Sequence, residues 1–125
     1  MNQSLAKIFG YVLIAVGILG FVPGITSDAG NLLGIFHVDT LHNIIHLLTG
    51  VLALLAARGT GEYVRLYFQV FGVVYAIVAV AGFLQGDTVL GLFGVNTADN
   101  LLHIVIAAIA LYAGFGKKAA PAPAV

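Results

Sequence analysis

Residues 33–47, LGIFHVDTLHNIIHL, and residues 90–104, LGLFGVNTADNLLHI, match position for position without a gap. Upstream, FGYVLIAVGILGF at 9–21 lines up with FGVVYAIVAVAGF at 71–83, so the similarity takes in two helical segments on each side. The chain therefore reads as a doubled helical hairpin. The alignment pairs Leu41, His42, Asn43 and His46 with Ala98, Asp99, Asn100 and His103, the one dense cluster of ionisable groups on otherwise apolar helices.

Composition places those helices in a membrane. Hydrophobic residues make up 61% of the chain and charged residues 8%, with a mean hydropathy of +1.08, against roughly 25% charge in an ordinary soluble domain. A length of 125 residues suffices for four spans of about 20 residues across a hydrocarbon core roughly 30 Å thick. The formal net charge is zero and basic residues are few, which points away from nucleic acid. Cysteine is absent, removing disulfides, thiolate metal sites and cysteine nucleophiles together.

The apolar runs predict spans at 6–22, 41–57, 63–84 and 100–115, grouped as one membrane domain over 1–115, with repeat one at 6–57 and repeat two at 63–115. Residues 116–125, ending in AAPAPAV, read as a disordered cytoplasmic tail. Asp39 or Thr40, and Asn96 or Thr97, stand where N-caps belong, ahead of the second and fourth helices. The apolar LLGIF before His37 and VLGLF before Gly94 are expected to extend each hydrophobic zone at the interface. Lys7 before an apolar run imitates a secretory signal, but the FG and GF landmarks of that run recur in the third span and no A-x-A site follows, so it reads as part of the fold.

Every Lys and Arg lies near the amino end (Lys7), between the second and third spans (Arg58, Arg65) or at the carboxyl end (Lys117, Lys118), whereas Asp28, Asp39, Asp87 and Asp99 fall at the other ends of the spans. The positive-inside rule makes the basic face, with both termini, cytoplasmic. The expected location is the inner membrane of a bacterium, with the histidine-rich end outward. The two halves then share one orientation, related by an axis along the membrane normal.

Small residues mark close helix contacts in lipid. Gly10, Gly17 and Gly20 supply them on the first span, and Gly72, Ala79 and Gly82 on the third. On the second, His42, His46, Thr49, Gly50 and Ala53 share one stripe at three- and four-residue steps, and Asp99, His103, Ala107, Ala110 and Gly114 do the same on the fourth. Both stripes are expected to face the bundle interior.

Three chemistries fit that interior. His42 and His46, one turn apart, have the spacing of two imidazoles on one metal ion, and Asp99 with His103 completes four ligands from the facing helix. His46 and His103, at equal depth, suit a haem approached from both sides, with Gly50 and Ala107 leaving room beneath. The third is a structural polar network of His42, Asn43, His46, Asp99, Asn100 and His103, pairing Asn43 with Asn100 and His42 with Asp99, that clamps the second helix to the fourth. His37 reads as a headgroup-level residue, Tyr63, Tyr67 and Phe68 as an interfacial belt at the inner edge, and Phe36, Phe83 and Phe93 as one at the outer. No phosphate-binding glycine loop or serine triad is present, and no catalytic residue is assigned.

The segment GIFHVDTLHNIIHLLTG at 34–50, with its H-N-x-x-H core, resembles the signature of the bacterial membrane proteins grouped as domain of unknown function 4383. The resemblance implies a small four-helix membrane protein marked at His42, Asn43 and His46, and brings no established activity. The fold expectation is an all-α, integral membrane four-helix bundle. The functional expectation is a non-enzymatic structural or accessory component of a membrane complex or of envelope stress adaptation, in contact with lipid and with other membrane proteins or further copies of itself. The alternative is a metal- or haem-binding redox or sensor protein.

Overall fold

Asp39 holds an extended backbone while its carboxylate accepts the amide of His42 at 2.8 Å, and the apolar run behind it becomes helical. Asn96 does the same for Asp99, in a full capping box. These starts set the frame of a computed structural model that describes residues 2–116. The elements run α1 (Asn2–Leu19), β1 (Asn31–Leu32), β2 (Phe36–His37), α2 (Thr40–Ala56), α3 (Val64–Gln85), β3 (Thr88–Val89), β4 (Phe93–Gly94) and α4 (Thr97–Phe115). The expected tail falls outside the described residues, apart from Gly116.

Helices α1, α3 and α4 are long and apolar enough to cross a membrane, and α2, at 17 residues, is shorter, spanning about 26 Å. The interfacial extensions expected at LLGIF and VLGLF are instead tight antiparallel hairpins, β1 with β2 and β3 with β4. Each is closed by a three-residue connection, 33–35 and 90–92, whose first two residues hold positive φ: Leu33 (54°) with Gly34 (71°), and Leu90 (53°) with Gly91 (69°). Leucine occupies a position where asparagine or glycine is usual. The first helix also ends earlier than the apolar run, at Leu19, whose carbonyl accepts the Thr26 hydroxyl at 2.8 Å.

Packing joins α1 to α2 and α3 to α4 far more extensively than it joins either pair to the other. A Cβ at Gly50 would lie 2.8 Å from the Gly10 carbonyl oxygen, and one at Gly114 2.6 Å from the Gln69 amide nitrogen. Glycine is what lets those backbones touch. Between the pairs, Ala6, Ala53, Tyr67, Phe68 and Ala110 share a core, with Phe9 edge-on to Phe68 at 5.2 Å. The Tyr67 hydroxyl donates to the Thr49 carbonyl at 3.1 Å, tying α3 to α2. Tyr67 and Phe68 are thus buried core residues rather than parts of an interfacial belt.

The bundle has two polar ends. At one, Asn2 donates to the Ala113 carbonyl, Gln3 to the carbonyls of Ala57 and Gly59, and Arg65 to that of Gly116. At the other stand both hairpins and the starts of α2 and α4. Aliphatic side chains such as Val12, Ile44, Ile77 and Val105 are exposed between them.

Candidate metal centre

The helix starts fix the depth of the histidines. His42 and His46 lie in the first two turns of α2, on its buried face, and His103 in the second turn of α4. They are 1%, 6% and 2% exposed, closed off from lipid. The ring centroids of His42 and His46 are 4.5 Å apart, those of His42 and His103 5.7 Å, and those of His46 and His103 6.4 Å. One ring nitrogen of each lies within 4.8 Å of the other two.

The hydrogen bonds decide what those nitrogens can do. His42 Nδ1 lies 3.1 Å from the carbonyl oxygen of Gly94, which can only accept, so Nδ1 carries the proton and donates it. In the neutral ring that leaves the lone pair on Nε2. His42 Nε2, His46 Nδ1 and His103 Nδ1 are buried without a hydrogen-bond partner. A second-layer carbonyl that orients an imidazole and leaves its other nitrogen free is the usual support of a metal-ligating histidine. The rings surround a cavity of about 30 Å³ completed by Ile45, Thr49, Val74, Tyr75, Val78 and Phe93.

Asp99 does not join them. Its Oδ2 accepts the amides of Asn96 at 2.9 Å and His37 at 3.1 Å. The expected four-ligand set therefore reduces to His42, His46 and His103, because the capping box turns the carboxylate toward the hairpins. The expected His42–Asp99 pair is likewise replaced, by the bond from His42 to Gly94.

Nor do Asn43 and Asn100 meet across the bundle. The Asn43 amide lies against Gly20 of its own helical pair and the Asn100 amide against Gly82 of the other, and both Oδ1 atoms are buried without a hydrogen-bond partner. Each oxygen faces the glycine Cα, a weak C–H contact suited to close helices.

A porphyrin does not fit. The closed space is of the order of one water molecule. The absent Cβ of Gly50 leaves no room either, since Ile14 and the Gly10 carbonyl occupy that side.

Sequence reasoning missed three contributors. Phe93 packs on His42 with ring centroids 4.9 Å apart and is buried rather than interfacial. Tyr75 lies 5.9 Å from His103, and its buried hydroxyl has no partner among the described residues. A phenol in the middle of an apolar span was the available signal for Tyr75. Gly94 offered none, because it acts through its backbone. His37, expected at headgroup level, is half-buried, and its imidazole occupies the space a Cβ at Gly94 would need.

No curated protein and no solved structure matches the chain. The sequence profile described as "Domain of unknown function (DUF4383)" matches residues 3–116, and on that match over nearly its whole length the protein belongs to the DUF4383 family.

Proposed function

We propose that this protein is a small non-enzymatic membrane component that holds one transition-metal ion between His42, His46 and His103. The observation that carries the reading is the bond from His42 Nδ1 to the Gly94 carbonyl, which leaves Nε2 unprotonated in a cluster where one ring nitrogen of each histidine lies within 4.8 Å of the others and where Nδ1 of His46 and of His103 is buried without a hydrogen-bond partner. With an ion bound, the three nitrogens would stand about 3.4 Å from one another, the separation set by metal–nitrogen bonds of about 2.0 Å, within the 4.8 Å limit that the cluster already meets.

The setting we propose is the bacterial inner membrane, with both termini cytoplasmic and the metal centre in the outer half. Lys7, Arg58 and Arg65 gather at the end that carries the amino terminus and the α2–α3 connection, and Asp28, Asp39, Asp87 and Asp99 at the end that carries the hairpins. The recurrence of helix, hairpin and helix, with Leu33 and Leu90 in the same rare conformation, supports an internal duplication.

A structural or accessory role is favoured by a separate observation, the exchange of carboxylate bonds between hairpins: Asp39 accepts the Gly94 amide at 2.7 Å and Asp99 that of His37. Elemental analysis of the detergent-purified protein beside His46→Ala separates the two roles. Near-stoichiometric metal in the wild type, lost in a variant that still folds, is the expected result. A folded, metal-free wild type that binds none on titration removes the metal reading and leaves the structural one.

A further inference from the structure

Resting on the metal reading above, we infer that the ion selected by this centre is monovalent copper, copper(I), held by His42 Nε2, His46 Nδ1 and His103 Nδ1 with no fourth protein ligand.

All three donors are neutral imidazoles. The nearest carboxylates are committed elsewhere: Asp39 to the amides of His42 and Gly94, and Asp99 to those of Asn96 and His37. Cysteine is absent from the chain, so no thiolate supplies negative charge. The other walls are chiefly Ile45, Val74, Val78 and Phe93. An ion entering this site meets no anionic ligand in a wall of low polarity, and the Asp39 and Asp99 carboxylates, bonded to backbone amides, stay a layer further out. The desolvation cost rises with the square of the charge, so a divalent ion incurs about four times that of a monovalent one.

Ligand number points the same way. Zinc in protein sites completes a tetrahedron, and ions that favour octahedral sites need more donors still. The cavity of about 30 Å³ has room for about one water-sized guest, the place the ion takes, and the other polar side chains that line it are Thr49, whose hydroxyl already donates to the Ile45 carbonyl at 2.7 Å, and Tyr75. A closed-shell monovalent ion with three nitrogen donors is coordinatively complete. Copper(I) meets both requirements, and silver(I) provides a redox-inert probe of the same charge and electron configuration.

The test titrates the purified full-length protein anaerobically. Copper(I) competes against a copper(I)-specific chromogenic chelator, and zinc(II) against a zinc chelator. The expected result is one copper(I) and one silver(I) per chain, zinc(II) bound more weakly than copper(I), and three nitrogen scatterers at about 2.0 Å in X-ray absorption of the copper(I) form. His103→Gln is expected to weaken copper(I) binding by more than the roughly 10–100-fold of an outer-layer change, and Tyr75→Phe to leave it unchanged. If His103→Gln does not fold, the absorption spectrum of the wild type decides the donor set. Zinc(II) bound as tightly as copper(I) overturns the selectivity while leaving the metal reading in place, and binding of neither ion overturns both. Loss of binding in Tyr75→Phe, or a fourth scatterer, overturns the three-nitrogen site.

Discussion

The carboxylate of Asp99, on α4, accepts the backbone amide of His37, on the first hairpin, at 3.1 Å. Its counterpart is Asp39, whose Oδ2 accepts the amide of Gly94 on the second hairpin at 2.7 Å. His37 and Gly94 are equivalent positions in the sequence alignment, but Asp39 and Asp99 are not: one is an N-cap and the other stands three residues into its helix. One turn of helix separates the two sources, yet each carboxylate serves its own helix start and the opposite hairpin.

Removing either carboxylate strands a hairpin amide; it also uncaps α2 in the case of Asp39 and opens the capping box of α4 in the case of Asp99, where Asn96 remains the cap. Asp99→Ala and Asp39→Ala are each expected to lower stability by about 1–3 kcal/mol. Asp99→Asn, which keeps an accepting oxygen, is expected to lose less. Thermal unfolding in detergent, followed by circular dichroism, checks this; an unchanged midpoint for both alanine variants would mean the exchange contributes nothing.

Gly20 and Gly82 each leave space that an asparagine amide fills. A methyl group at either position would displace Asn43 or Asn100 and push the paired helices apart, at about 1–3 kcal/mol. The double variant Gly20→Ala with Asn43→Ala is expected to recover part of that loss. Unfolding midpoints of the two single variants and the double variant give the coupling, and simple additivity would count against the contact.

Tyr67 contributes one buried interhelical hydrogen bond between the helical pairs. Tyr67→Phe is expected to reduce stability by about 0.6 kcal/mol, the average for such bonds in membrane bundles, and by no more than about 1.7 kcal/mol. Unfolding of the variant in detergent measures it, and a midpoint equal to wild type would assign the residue a packing role alone.

The chain's lack of cysteine makes its sidedness easy to read. Asp28 and Thr60 are exposed on connections at opposite ends of the bundle. Asp28→Cys is expected to react with a membrane-impermeant thiol reagent on intact spheroplasts, and Thr60→Cys only after lysis. The reverse pattern would invert the orientation.

The helix starts were legible because capping is local: Asp39 and Asn96 need only the amides that follow them. The grouping of His42, His46 and His103 was legible from their spacing and from the match between halves. The hairpins were not, because Leu-Gly is an unusual turn sequence and its apolar flanks read as membrane contact. The destination of Asp99 was equally hidden. A carboxylate at the third position of a helix can close a capping box or reach across the bundle, and only the placement of His37 opposite decides between them.

His42 and His46 arrive on one helical pair and His103 on the other, and each pair is held far more firmly within itself than to its neighbour. The imidazole cluster therefore exists only where the two pairs are docked. An ion bound there would favour the docked state by mass action, so its supply would set how completely newly made chains reach it.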